Sequence, residues 1–155
     1  MKQRATWVGI LAFVVLGSTV QTASAFSQTH GSAFHAYNAS EVTSIDYLTN
    51  GVRNIAAGPR YVIAPIAFSP PSNWAGGNAP FRVDGQCAAG TNLSYTMYGY
   101  SYKGVLQASQ NILQGGAPFD TYVALNPLDV SSYVTLLTQL PANTGTMLYG
   151  VQSAF

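Results

Sequence analysis

The stretch 93–103, which reads LSYTMYGYSYK, carries the alternation that decides the fold. Side chains of a β-strand point in turn to its two faces, so every second residue shares a face. Leu93, Tyr95 and Met97 share one face, and Tyr98, Tyr100 and Tyr102 share the other. The stretch is predicted to be a strand that covers a core.

Short apolar or alternating runs continue on both sides of this strand, separated by clusters of Gly, Pro and Asn. The predicted strands are 60–68, 81–87, 93–103, 105–113, 119–125, 133–140 and 146–155. Lys103-Gly104 is a plausible hairpin tip, Pro65 indicates a bulge or an edge position, and 69–80 is predicted to be a loop. The best candidate for a helix is 41–55, although Gly51 interrupts it. Seven to nine strands at this spacing predict an all-β, single antiparallel β-sandwich or jelly-roll-like domain.

The first 25 residues have the pattern of a cleaved signal peptide. Lys2 and Arg4 precede an uncharged apolar run at 7–17, and small residues stand at Ala23 and Ala25. The apolar run is too short to span a bilayer as an anchor, which takes about 20 residues. We therefore expect cleavage after Ala25, a single domain over 26–155 with 26–40 as a loosely ordered leader, and a secreted, periplasmic or cell-surface location.

Charged residues make up only 7% of the chain. After residue 25, four basic residues stand against five acidic ones, a formal net charge of −1. Because no basic patch is available to neutralise phosphates, nucleic acid is not an expected partner. No stable transmembrane helix is expected in the mature chain either.

The chain has one cysteine, Cys87, so an internal disulfide framework is excluded. The thiol could link two chains or react, but a buried, inert side chain at a strand end is the preferred interpretation.

Residues with catalytic or metal-binding chemistry are few. His30 and His35 are the only histidines, and their spacing matches no zinc pattern. No G-x-S-x-G motif or Gly-rich phosphate loop is present, and no pair among the five acids is singled out. We expect a non-catalytic domain without metal or cofactor. A hydrolase remains an alternative that no motif supports.

The aromatic residues give the most specific binding hypothesis. Tyr98, Tyr100 and Tyr102 on one strand, with Trp74 in a Gly/Asn-rich loop, could stack on sugar rings while neighbouring amides and hydroxyls bind sugar hydroxyls. Alternatively, the tyrosines simply cover a charge-poor sheet.

Assembly and membrane insertion are two further hypotheses. The domain could be a structural or assembly subunit. Met147, Tyr149 and Val151 alternate toward Phe155, which resembles the closing strand of a small outer-membrane barrel.

The leading hypothesis is an exported binding or interaction module whose partner is a polysaccharide or another exported protein.

Four short motifs are shared with a known group of proteins. They are Gly51-Val52-Arg53-Asn54, Ala64-Pro65, Tyr95-Thr96-Met97-Tyr98 and Thr138-Gln139-Leu140-Pro141. On these the chain resembles small, mostly uncharacterised exported bacterial β-rich proteins. Ala64, Tyr95 and Thr138 stand where that group has cysteines. The resemblance implies an extracytoplasmic β-domain, here without the group's disulfides, and no known activity.

Overall fold

The structure is a computed structural model that describes residues 27–116 and 118–155. The predictions for the signal peptide fall outside these ranges. Two short 3₁₀ helices (Gly31–Ala33 and Ala39–Ser44) occur within them, and no helix there is long and apolar enough to cross a membrane. The strands, in chain order, are β1 (Gln28–His30), β2 (His35–Ala36), β3 (Ile45–Leu48), β4 (Gly51–Asn54), β5 (Arg60–Ile66), β6 (Gly77–Gln86), β7 (Asn92–Tyr100), β8 (Leu106–Gly115), β9 (Phe119–Leu128), β10 (Tyr133–Leu140) and β11 (Met147–Ser153).

The strands form two antiparallel sheets that pack as a β-sandwich, as the sequence predicts. One sheet has the order β3-β4-β11-β6-β9, and β1 also pairs with β11. The other has the order β2-β5-β10-β7-β8. Within the first sheet, β1 and β4 share one edge of β11, since Thr29 pairs with Val151 and Val52 with Leu148.

The core lies between the sheets and follows the predicted alternation. Leu93, Tyr95 and Met97 of β7 are buried, whereas Tyr98 and Tyr100 are only half-buried on the opposite side. Buried residues from the other long strands complete the apolar layer: Val62, Ala64, Phe81, Val83, Val123, Leu125, Val134, Leu136, Leu148 and Val151.

The best candidate for a helix, 41–55, does not form one over its length. The second 3₁₀ helix ends at Ser44, and the antiparallel pair β3–β4 follows. In this pair Ile45 and Val52 are buried, while Asp46 and Arg53 face outward in an ion pair of 2.8 Å between Oδ2 and Nη2. The apolar side chains therefore follow a period of two, and burial in a sheet outweighs weak helical propensity.

The expected loosely ordered leader at 26–40 is also not observed. From Gln28 onward it supplies one strand to each sheet, because β1 pairs with β11 and β2 with β5. Phe34 lies between them with none of its surface exposed. Burial of this ring and the backbone hydrogen bonds of two ladders hold the segment in place.

The predicted loop at 69–80 and the predicted edge position of Pro65 are both observed, although the loop ends earlier than expected. β6 begins at Gly77, so the loop before it is shorter than 69–80. Pro65 pairs with Thr135 of β10, and on its other side β2 reaches only as far as Ile63. The proline thus lies on a free edge, where its missing N–H costs no ladder bond.

Cys87 is buried just after β6, as expected. Its thiol donates a hydrogen bond to the carbonyl oxygen of Gln114 (3.2 Å). Burial raises the pKa of this thiol, so the reactive thiolate is disfavoured.

Tyr95 and Thr138 face each other in the core. Tyr95 pairs with Thr138 across β7 and β10, and both residues are buried. The Tyr95 Oη and Thr138 Oγ1 atoms are both buried without a hydrogen-bond partner. An unpartnered buried hydroxyl costs free energy relative to an apolar group of the same shape.

We predict that Tyr95→Phe changes the dependence of stability on pH. Burial raises the pKa of Tyr95 to about 12, against 10.0 for a free tyrosine. The unfolded chain therefore releases this proton first as the pH rises, and the native state loses about 2 kcal/mol of stability between pH 10 and 12. Guanidinium unfolding at pH 7, 9 and 11 should show that Tyr95→Phe removes this part of the alkaline loss and costs no stability at pH 7.

The matched control is Tyr122→Phe, since Tyr122 is 61% exposed. A stability difference between wild type and Tyr95→Phe that stays constant across the three pH values would contradict the prediction.

Candidate binding face

Charged side chains are concentrated on one side of the sandwich. The outer face of the six-stranded sheet carries Asp46, Arg53, Arg82, Asp84 and Asp120. Arg82 pairs with Asp120 of the neighbouring strand. Burial raises the pKa of Asp84, and the nearby Arg82 guanidinium partly offsets that rise. The charges of this face largely compensate one another.

The outer face of the five-stranded sheet is uncharged. We define the tyrosine face as the outward residues of its four longer strands: Tyr61, Ile63 and Pro65 of β5; Tyr133, Thr135, Leu137 and Gln139 of β10; Ser94, Thr96, Tyr98 and Tyr100 of β7; and Ser109, Asn111 and Leu113 of β8. The other charged residues of the described chain lie outside it, in the second 3₁₀ helix, at the first position of β5, in the β7–β8 hairpin and in the β9–β10 turn: Glu41, Arg60, Lys103 and Asp129.

Three tyrosine rings stack on this face. The ring centroids of Tyr98 and Tyr100 are 6.2 Å apart with an interplanar angle of 30°. Those of Tyr100 and Tyr133 are 5.5 Å apart at 20°. Near-parallel offset rings at this separation attract each other, so the stack forms one continuous aromatic surface across β7 and β10.

Strand pairing places the three rings together. Tyr98 and Tyr100 are two positions apart on β7 and therefore share a face. The register of β10 sets Tyr133 directly opposite Tyr100. Gly99, which lies between Tyr98 and Tyr100 on β7, faces the core. A Cβ atom at this position would lie 2.2 Å from Leu128 Cδ2. The absence of that Cβ lets Leu128 pack closely beneath the stack.

Amide and hydroxyl groups surround the rings. Asn111 Nδ2 donates to Thr96 Oγ1 at 2.7 Å, and Gln139 Nε2 donates to Tyr61 Oη at 2.8 Å. These bonds orient side chains that keep further donors and acceptors directed to solvent. The face therefore combines flat aromatic area with neutral hydrogen-bonding groups.

The structure does not assemble all four residues singled out by the sequence. Tyr98 and Tyr100 lie together, but β7 ends at Tyr100, so Tyr102 lies in the hairpin. There its ring is 5.4 Å from Lys103 Nζ. Trp74 is half-buried in the loop before β6 and packs against two phenylalanines instead.

The contacts of Trp74 are those of a core extension. Its ring centroid lies 5.6 Å from Phe68 and 5.3 Å from Phe155, both in edge-to-face geometry. Phe68 in turn contacts Phe81 of the core. A tryptophan in a loop of Gly and Asn thus serves packing at one end of the sandwich.

Sequence reasoning did not identify Tyr133, which completes the stack and is 46% exposed. It lies 33 positions after Tyr100, at the start of a strand that the sequence does predict. The missing information was the strand order, because β10 rather than a sequence neighbour lies beside β7.

Neither histidine takes part in this face's aromatic stack. His30 Nδ1 is 2.9 Å from Ser32 Oγ, and His35 is exposed on β2. Across residues 27–116 and 118–155, no three His, Cys, Asp or Glu side chains are grouped closely enough to hold a metal ion.

Comparisons with known proteins show the fold. No protein-family model and no curated protein matches the sequence. The structure is similar to a native family 35 carbohydrate binding module from Clostridium thermocellum, with 11% identity and a TM-score of 0.50 over 84% of this chain and 98% of that one. TmCBM61 in complex with beta-1,4-galactotriose has 8% identity and a TM-score of 0.40 over 84% of this chain and 88% of that one. The described chain thus has a β-sandwich fold similar to that of the family 35 module.

Proposed function

We propose that this chain is an exported, non-catalytic carbohydrate-binding domain that holds a neutral polysaccharide on the tyrosine face. The observation that carries the proposal is the stack of Tyr98, Tyr100 and Tyr133 on an uncharged sheet surface. The proposal keeps the two tyrosines of β7 and replaces Tyr102 and Trp74 with Tyr133.

The chemistry of the rings suits sugars. One face of a pyranose ring presents C–H groups, which pack on an aromatic ring, while its hydroxyls point sideways. Side chains such as Thr96, Asn111 and Gln139 lie where they could bond those hydroxyls. The aromatic rings provide apolar contact area, and the amides fix the orientation of the sugar. Most ligand sites combine these two kinds of contact.

The distribution of charge favours a neutral ligand. An anionic polysaccharide would find no cation among the residues of the tyrosine face. Conversely, Arg53 and Arg82 lie on the opposite side of the sandwich and are already paired with carboxylates. Binding that depends on stacking and neutral hydrogen bonds is also insensitive to salt, unlike binding between exposed charges.

Two further observations support the proposal. One solved structure with a similar sandwich is named as a carbohydrate binding module. The pattern of Lys2, Arg4, the apolar run and Ala25 is that of an export signal, which would bring the domain to the compartment where polysaccharides are found.

We predict that Tyr100→Ala/Tyr133→Ala weakens polysaccharide binding by about tenfold or more, because each stacked ring contributes about 1 kcal/mol. The measurement is a depletion assay with the purified mature domain on insoluble cellulose, xylan, mannan and chitin. Wild type should be retained on at least one of these, equally at low and high sodium chloride.

Two control variants separate stacking from folding. Tyr122→Ala removes an equally large exposed tyrosine from the charged side and should bind as wild type does. Trp74→Ala should lower the melting temperature, since its ring packs on Phe68 and Phe155, and leave retention of the folded fraction unchanged. Unchanged retention of the folded double variant would overturn the proposal.

A second candidate function, assembly, has one specific observation in its favour. β8 forms an edge of the five-stranded sheet, spans ten residues and contains neither a charge nor a proline. The other long edge strand, β9, carries Asp120 and Pro127. Charges and prolines are the usual protection of an edge against pairing with another chain, so β8 is suited to pair with a second copy.

Assembly through β8 predicts that Gln110→Lys abolishes self-association. Gln110 is exposed near the middle of the edge strand and lies off the tyrosine face, so an antiparallel β8 pair centred there would bring the added charge close to its own copy. Sedimentation velocity over a dilution series should show a concentration-dependent dimer for wild type and for the control Asn143→Lys, and a monomer for Gln110→Lys. A wild-type protein that stays monomeric at all concentrations would eliminate this candidate.

A further inference from the structure

A cleft opens at the side of the sandwich where the edge strands β2 and β3 approach each other. It has a volume of about 530 Å³. The side chains that shape it come from the two 3₁₀ helices, from β2 and the residues on either side of it, and from β3: Ser32, Phe34, His35, Tyr37, Val42 and Tyr47. This volume lies within the range of small-molecule sites, about 300–1,000 Å³.

The walls of the cleft are held by hydrogen bonds and burial. The N–H of Tyr37 donates to the Tyr61 carbonyl oxygen at 2.8 Å and extends the β2–β5 ladder by one residue. The Ala36 N–H donates to Tyr47 Oη at 3.2 Å, which ties an edge of one sheet to an edge of the other. The fully buried Phe34 anchors the floor. The shape of the cleft, which is broad and open to solvent, is therefore set before a ligand arrives.

The lining is uncharged at neutral pH and presents two tyrosine rings among small and apolar residues. Tyr37 is 58% exposed and Tyr47 is 40% exposed, so both rings present area to solvent. The Tyr37 hydroxyl and the His35 imidazole offer hydrogen-bonding groups at the exposed rim. The nearest charged side chain of the second 3₁₀ helix, Glu41, lies 3.8 Å from Arg60 and does not line the cleft.

We propose that this cleft is a second sugar site, which takes a single neutral pyranose such as the end residue of a glycan. The inference rests on the carbohydrate-binding function proposed above and adds a site of different shape. The tyrosine face extends across four strands and suits the length of a chain, whereas the cleft is bounded by β2, the second 3₁₀ helix and β3 and suits one ring. Two sites on one domain would give a polysaccharide two points of attachment, and linked binding events reinforce each other.

The test is an NMR titration, in which ¹H–¹⁵N correlation spectra of the mature domain are recorded with increasing sugar. The neutral sugars are D-glucose, D-galactose, D-mannose and D-xylose, and D-galacturonate is the charged counterpart of galactose. At least one neutral sugar should shift the amides of His35, Ala36, Tyr37 and Tyr47 in a saturable way. Galacturonate should bind more weakly there, because its carboxylate would lose water without gaining a cation.

Tyr37→Ala should raise the dissociation constant of that sugar about fivefold, the effect expected from one stacked ring. The control Tyr122→Ala should leave it unchanged. Because Tyr37 is largely exposed, the variant should keep the amide spectrum of the folded domain outside the cleft.

Three results would overturn the second site: no saturable shift of the cleft amides with any of the four neutral sugars, galacturonate binding as tightly as the neutral sugar that shifts those amides, or an unaltered dissociation constant in Tyr37→Ala. Each of these results can be distinguished from a lack of binding at the tyrosine face. Retention on insoluble polysaccharide reports on Tyr100 and Tyr133, whereas the amide shifts with monosaccharides report on β2 and β3.

Discussion

The hydrogen-bonded ladder between β7 and β10 fixes both the core packing and the tyrosine stack of this domain. Seven consecutive residue pairs join the two strands, from Tyr133 opposite Tyr100 to Gln139 opposite Ser94. Because side chains alternate, this one register sends Met97 and Leu136 into the core and sets the stacked tyrosines outside. A slip of one residue would exchange the two faces, so burial of the apolar set also fixes the position of the tyrosines.

The sequence predicts those features that depend on local pattern. The alternation of 93–103, the hairpin near Gly104 and the sandwich class follow from a period of two and from turn residues. The strand pair at 45–54 and the two strands of the expected leader escaped prediction, because long-range pairing with β11 and β5 outweighs the weak local preferences of short polar segments. For the same reason Tyr133 could not be assigned to the aromatic stack, whereas Tyr98 and Tyr100 could.

Because the charged side chains lie mainly on one sheet, the two outer faces of the sandwich differ in surface chemistry. Ion pairs on the six-stranded sheet, such as Asp46 with Arg53, are exposed and contribute little stability, about 0–1 kcal/mol each. They do keep one surface hydrophilic while the other is left to tyrosines, amides and hydroxyls. Such a division costs the fold little, because neither set of side chains is needed to fill the core.

The pairing of β1 with β11 has a consequence for how the domain reaches its final form. Ser27 and Ser153, which are 126 positions apart, bond each other where these strands meet. Pairing of segments so far apart in the sequence must overcome a large loop-closure entropy, so it is intrinsically slow. Because β11 pairs with β1, β4 and β6, the six-stranded sheet cannot be completed until both ends of the described chain have come together. A folding chain that lacks β11 would leave the edges of β4 and β6 unpaired.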